Sequence, residues 1–360
     1  MRLAWVEVRD FRNHASTSLE APPGLVVAVG PNAQGKTNLL EAVHYLMTLS
    51  SPRASSDEPL VRRGAESAYL RGEVETPAGR VLVEVEVRAS GANRVQVNRS
   101  GVRRKRDLRS RVRSVMSIPE DLAIVQGQPE ERRRFLDEVV QALWPPEETP
   151  RRAYDRALRQ RNRLLKEHDG AEAPRGLEAW DAELARHGSA VTGARGEAVR
   201  RVAPRAGDAF EAIAAERLLV EYRPSVEGER AGLEAAFLRR LEERRADELA
   251  RRTTLVGPHR DELDIAVGSL AARRFASHGE AWAGALSLRL GTAEALAAEA
   301  GEPPVLVLDD PFSGLDPVRR GRLGELLSGR GQVLLAVPDE AQVPAGAAVW
   351  DVRQGSVQRR

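Results

Sequence analysis

The sequence predicts an α/β fold: a head built on a mixed sheet plus antiparallel strands, with a helical arm inserted in mid-chain. Three observations carry this expectation. Residues 25–49, LVVAVGPNAQGKTNLLEAVHYLMTL, read as an apolar strand, a glycine-bounded loop and a helix with Leu39, Leu40, Val43, Leu46 and Met47 at helical spacing. Residues 68–98 alternate apolar and polar in YLRGEVE and RVLVEVEVR, as antiparallel strands joined at Pro77-Ala78-Gly79 would. From Pro129 to about Ala250 the period becomes helical: Phe135, Leu136, Val139, Val140 and Leu143 share one stripe, and Tyr154, Leu158, Arg161 and Leu165 another. Breaks fall at Pro145-Pro146 and around Gly170 to Gly176. The expected head is therefore residues 1–125 and 251–360, and the inserted arm residues 126–250.

A chain of 360 residues is longer than one core comfortably supports and suits a large domain plus an insertion. Its 42% hydrophobic and 30% charged residues are ordinary for a globular protein. No apolar run approaches the roughly 18 residues of a membrane span. Arg2, Glu7, Arg9 and Asp10 stand where a secretory signal would be apolar, so the expectation is a cytoplasmic protein without a membrane partner. Zero cysteines exclude disulfides and thiolate metal sites, and the six histidines show no paired ligand spacing, which leaves only a hard, oxygen-liganded ion. Lys36, Lys105 and Lys166 are the only lysines among 55 Lys plus Arg, so a retained lysine is informative.

The loop Gly30-Pro31-Asn32-Ala33-Gln34-Gly35-Lys36-Thr37 satisfies G-x-x-x-x-G-K-[ST] in a strand-loop-helix setting. Gly30 and Gly35 let the backbone curl so that successive N–H groups face one point, and the helix beginning near Lys36 adds its positive end; such a loop holds phosphate. Lys36 supplies a compact ammonium where a guanidinium would be too broad. Thr37 offers a hydroxyl to magnesium. The ligands expected are ATP and Mg2+.

Magnesium also needs a carboxylate at the end of a neighbouring strand. Val305-Leu306-Val307-Leu308 reads as a strand buried on both faces, and it ends in Asp309 and Asp310. Asp309 is expected to hold the ion and Asp310 to orient or deprotonate the attacking water; many related ATPases have Glu there, and the shorter side chain predicts slow turnover. The next residues, Pro311-Phe312-Ser313-Gly314-Leu315-Asp316, resemble the D-loop of ABC-type ATPases through Ser313 and Asp316. Ser277-His278-Gly279-Glu280, a small-residue turn opening an amphipathic helix, then resembles their signature motif, usually Ser-Gly-Gly-Gln. Alone, that turn reads as a helix N-cap with an acidic first turn. The resemblance implies that it caps the γ-phosphate held by a second copy of the chain, in an ATP-dependent homodimer.

With these motifs in order, the whole chain resembles the RecF family, head-only relatives of the SMC ATPases. The likeness runs from LAWVEVRDFRN at residues 3–13 through Ser51-Pro52-Arg53 and Pro119-Glu120-Asp121-Leu122 to GQPEERRRFLD at 127–137 and Gly257-Pro258-His259-Arg260-Asp261. The last two together are specific. Within the first stretch Arg12 is a candidate nucleotide contact. Gly257 to Asp261 reads as a turn between strands at Thr254 to Val256 and Leu263 to Val267. The resemblance implies an ABC/SMC-type P-loop ATPase head, slow hydrolysis used as a switch, binding of gapped or damaged double-stranded DNA, and action with RecR and RecO to load RecA. The arm helices read as too short and too interrupted for a long SMC coiled coil. Departures from the family pattern are His278 and Glu280 where Gln is common, Ala281-Trp282 in place of polar and basic residues, and Pro338-Asp339 where a switch His or Thr would stand.

The densest basic run includes Arg103, Arg104, Lys105, Arg106, Arg109 and Arg111, a natural contact for DNA phosphates through counterion release. In an arginine-rich chain it reads equally as a solvated loop. Arg151, Arg152, Arg156, Arg159 and Arg163 read as a solvated helical face. Two rival readings share the phosphate loop. A transporter's nucleotide-binding subunit would normally have a shorter insertion and a switch His, and a small-molecule phosphotransferase leaves the turn at Ser277 and the loop at Asp316 unexplained.

Overall fold

In the computed structural model, two six-stranded sheets enclose the helix Lys36–Thr48. Residues 1–170 and 172–360 are described; Ala171, inside the break expected around Gly170 to Gly176, lies outside the described residues. One sheet is antiparallel, in the order His14–Glu20, Arg2–Phe11, Ser67–Thr76, Gly79–Arg88, Arg94–Val97, Ser100–Gly101. In the other, Ser114–Ser117, Val305–Asp309, Val333–Val337, Leu25–Val29 and Ala348–Arg353 run parallel in that order, and Ser356–Arg359 closes the edge antiparallel.

The period of two along the parallel strands divides their side chains between two cores. Val26, Val305, Val307 and Leu334 meet Leu39, Leu40, Val43 and Leu46 of the helix, which on its far side meets Val8, Leu70 and Val85 of the antiparallel sheet. Val27, Val29, Leu306, Leu308 and Leu335 face the opposite way, into a core shared with the helices of the second half. A parallel sheet covered on both faces explains why the central stretches Leu25–Val29, 305–308 and Val333–Val337 are apolar throughout.

The helical region holds Pro129–Leu143, Glu148–Glu167 and Leu177–Ala214. The last runs 38 residues without a break, through Gly188, Gly193, Gly196, Pro204 and Gly207, longer than its composition suggests. Packing overrides propensity here. The helix lies against His278–Ala300, and Gly291 lets the two backbones touch, since a Cβ there would sit 2.6 Å from the Ala206 backbone nitrogen. His278–Ala300 is not the amphipathic helix expected. Every residue from Ala281 to Ala293 is buried, because the helix is enclosed between the parallel sheet and the long helix.

The strand expected at Thr254 to Val256 is also absent. Side chains from arm helices take its hydrogen bonds instead: the Thr254 N–H donates to Asn162 Oδ1 (2.8 Å) and the Leu255 N–H to Glu248 Oε1 (2.7 Å). Pro258–Arg260 forms a single turn that leads into Glu262–Val267, which pairs antiparallel with Leu218–Arg223. Among the described residues, no helix is long and apolar enough to cross a membrane.

Candidate nucleotide site

The phosphate loop leaves the end of Leu25–Val29 and enters Lys36–Thr48. Gly30 (φ 156°) and Gly35 (φ 110°) are both required. A Cβ on Gly30 would lie 2.3 Å from the Val352 carbonyl oxygen, and one on Gly35 would lie 2.6 Å from the Asn13 side chain. The Lys36 ammonium folds back over the loop and donates to the carbonyls of Gly30 (2.6 Å) and Pro31 (2.9 Å). Burial lowers its pKa, and Asp309 and Asp310 oppose that shift.

The loop is braced from behind by both ends of the chain, which no local pattern announced. The Gly355 N–H donates to the Gln34 carbonyl (2.8 Å), and the Gln354 N–H to Gln34 Oε1 (2.8 Å). Buried His14 sets its Nε2 2.9 Å from the Gly35 carbonyl and its Nδ1 2.9 Å from that of Gly355.

Thr37 Oγ1 donates to Asp309 Oδ2 at 2.7 Å, across a gap spanned by the intervening strand Val333–Val337. The acid strand is therefore one removed from the loop strand rather than its neighbour. Burial pushes Asp309 up to about 6 against the Thr37 hydrogen bond. Asp310 takes a left-handed backbone (φ 48°), with its N–H bonded to the Ala336 carbonyl (3.0 Å); burial raises its pKa, with Lys36 and Arg320 opposing. A hydroxyl and a buried carboxylate, both hard oxygen donors and with no cation paired to Asp309 among the described residues, fit magnesium. Asn13, Asn32, Ala33, Asn38, Arg53, Asp310 and Pro338 complete the cleft, while Asp339 is exposed at its edge.

Two groups of sequence candidates meet other partners within the chain. The Arg12 guanidinium does not line the cleft. It forms a two-point pair with buried Glu41 (2.8 and 2.9 Å) and donates to the Pro59 carbonyl (2.9 Å). The guanidinium facing the cleft is Arg53, held by Asn38 Oδ1 at 3.0 Å. In the basic run, Lys105 donates to the Leu49 carbonyl (2.6 Å), and Arg109 to the Thr48 carbonyl (2.8 Å) and Gln141 (3.0 Å). These two cations cap the negative end of the phosphate-loop helix. Arg106 reaches Thr149 at 3.5 Å, and Arg103, Arg104 and Arg111 project into solvent. On the arm, Arg151 pairs with Asp137, Arg152 with Glu148 and Arg163 with Glu167.

Ser277 caps its helix through a reciprocal box: its Oγ accepts from the Glu280 N–H (3.3 Å), and the Glu280 carboxylate accepts from the Ser277 N–H and hydroxyl (both 2.8 Å). Asp316 caps the next helix through the Arg319 N–H (2.9 Å). The two turns touch. A Cβ on Gly279 would lie 2.8 Å from the Gly314 carbonyl, and the Trp282 indole donates to the Pro311 carbonyl at 3.0 Å. Trp282 thus fastens the Ser277 helix to the segment that follows Asp310. None of Ser277, His278, Gly279, Glu280, Ser313 or Asp316 lines the cleft around Lys36 and Thr37.

Residues 2–355 match the family described as RecF/RecN/SMC N terminal domain. The DNA replication and repair protein RecF of Streptomyces avermitilis is 44% identical over 373 residues, covering 100% of both chains. The chain belongs to the RecF family. Two solved structures described as the recombination mediator protein RecF in the RecFOR pathway, one with ATPrS and one with ATP, superpose with TM-scores of 0.90 and 0.89 at 28% and 29% identity. They cover 99% of this chain and 98% and 97% of theirs. The fold is that of the ABC/SMC-type ATPase head.

The stretches at residues 127–137 and 257–261 meet through a shared network of hydrogen bonds. Arg195, buried in the long helix, donates to Asp137 (2.7 and 2.9 Å), to Asp261 Oδ2 (3.0 Å) and to the Pro258 carbonyl (2.7 Å). His259 Nδ1 sits 2.6 Å from the Tyr154 hydroxyl, and Asp261 also accepts from the Ser225 N–H (2.8 Å). A third stretch joins the Ser277 helix, because Arg289 pairs with Asp121 (2.6 Å) and Glu138 (2.9 Å).

Proposed function

We propose that this chain is an ATP-gated DNA-binding recombination mediator whose two copies close on two Mg·ATP molecules. The observation that supports it is the placement of the Ser277 turn and the Asp316 loop, packed together yet outside the cleft of Lys36 and Thr37 in the same chain. A second copy completes the pocket. The loop N–H groups and Lys36 would take the phosphates, with Lys36 releasing the Gly30 and Pro31 carbonyls that it now holds. Thr37 and Asp309 would hold magnesium, which supplies charge neutralisation at the phosphates. Asp310 would orient water for slow hydrolysis, and Ser277 of the second copy would meet the γ-phosphate. ATP favours the closed dimer only through contacts absent from the open form. Closure would bring Arg103, Arg104 and Arg111 of both copies to double-stranded, gapped DNA, with RecR and RecO acting on the same complex toward RecA loading.

Fluorescence anisotropy on gapped duplex DNA tests this reading. Binding should require ATP and magnesium. Ser277→Arg should keep ATP affinity and lose DNA binding, and charge reversal at Arg103, Arg104 and Arg111, six cations across the two copies, should flatten the plot of log affinity against log salt by about 5. ATP-independent DNA binding with an unchanged slope would overturn it.

A further inference from the structure

Asp310 holds a backbone conformation that its own sequence resists. Its φ of 48° lies in the left-handed region, and Pro311, which follows, restricts the residue before it toward extended backbone. Such a conformation persists only where its surroundings fix it. At Asp310 itself the main chain does so: the N–H donates to the Ala336 carbonyl (3.0 Å), and the carbonyl accepts from the Ser313 N–H (3.1 Å). The next carbonyl along, that of Pro311, is held by a side chain, the Trp282 indole, at 3.0 Å. Among the described residues this is the one side-chain hydrogen bond to residues 310–314; Arg320 Nε takes the Leu315 carbonyl, at 2.8 Å.

The helix His278–Ala300 places Trp282 for this role. Gly279 and Trp282, three residues apart, share one face of it and rest on the same segment, Gly279 against Gly314 and the indole against Pro311. Burial alone does not impose the bond, since Trp350, equally enclosed, leaves its Nε1 without a partner. Nor does filling space require it. Trp282 shares a core with Phe312 and Leu315, where a phenyl ring would occupy most of the same volume. What the indole adds over a phenyl is a donor that fixes the Pro311–Phe312 peptide, one residue beyond Asp310. Asp310 in turn lines the cleft with Lys36 and Thr37.

We infer that Trp282 is a positioning residue for ATP hydrolysis: its indole holds the Pro311 carbonyl and so keeps Asp310 in the backbone conformation that presents its carboxylate to the cleft. The assignment rests on the proposed role of Asp310 in orienting water. Phosphate release from radiolabelled ATP by the full-length chain, with magnesium and at protein concentrations that saturate the rate, tests it. Trp282→Phe should lower kcat about tenfold or more while KM and ATP affinity stay within about twofold of wild type. In an Asp310→Asn background the same substitution should cost almost nothing further, because both changes act through one carboxylate. Trp282→Leu, a second side chain without a donor, should repeat the pattern, and wild-type ATP affinity shows that each variant is folded. Wild-type kcat in Trp282→Phe, a rise in KM in place of the loss in kcat, or a full further loss in the Asp310→Asn background would each overturn the assignment. Wild-type kcat in Asp310→Asn alone would overturn the role of Asp310 on which it rests.

Discussion

Asp309 is buried beside a single neutral hydroxyl, and its carboxyl pKa, near 6, lies above the 3.8 of a free Asp. A carboxyl raised in the folded state stabilises the fold while protonated. That contribution is complete below about pH 4 and is lost as pH climbs through about 6, leaving a destabilisation of about 3 kcal/mol at neutral pH. Asp309→Asn should therefore be more stable than wild type to urea at pH 7.5 without nucleotide or magnesium, by up to about 3 kcal/mol, and the advantage should vanish near pH 4. Mg·ATP should then stabilise wild type far more than the variant. A variant less stable than wild type at pH 7.5 would contradict this. Asp309, Lys36 and Thr37 were legible because short patterns fix their surroundings. The partners of Arg12, Lys105 and Arg109 were not legible, because Glu41 and the backbone carbonyls they meet become neighbours only on folding.

The elements respond to single residues in ways the motifs do not announce. Hydrogen bonds from Ser277 lower the Glu280 pKa, so a negative charge sits on the turn proposed to face a triphosphate. Glu280→Gln keeps a side chain that fits the capping box. It should tighten the ATP-dependent dimer by about 1 kcal/mol, read as a lower dimer dissociation constant in sedimentation; unchanged or weaker association would count against the trans contact. Buried Arg195 ties Asp137 of Pro129–Leu143 to the Pro258 carbonyl and to buried Asp261. Arg195→Ala leaves buried Asp261 without its cation, while Asp137 keeps Arg151, and should cost about 3 kcal/mol in denaturant unfolding; a loss under about 1 kcal/mol would show that the network is not what locks the helices. The role of Gly257 to Asp261 was not legible for the same reason. Arg195 lies between the two marked stretches in sequence, and nothing local identifies it as their common partner.

For the whole molecule, apolar strands, alternating strands and helical stripes disclosed both main sheets and the helices around Phe135 and Tyr154. They did not disclose the burial of His278–Ala300 or the uninterrupted length of Leu177–Ala214, since both follow from the two helices packing on each other. A phosphate loop at one edge and a capping turn at another, in one chain, make sense together if two chains meet. Sedimentation of Asp310→Asn with saturating ATP and magnesium is the most direct measurement of that. A dimer is predicted, reverting to single chains without nucleotide or when Ser277→Arg is added. A nucleotide-loaded sample that stays single-chained at high protein concentration would contradict the shared pocket.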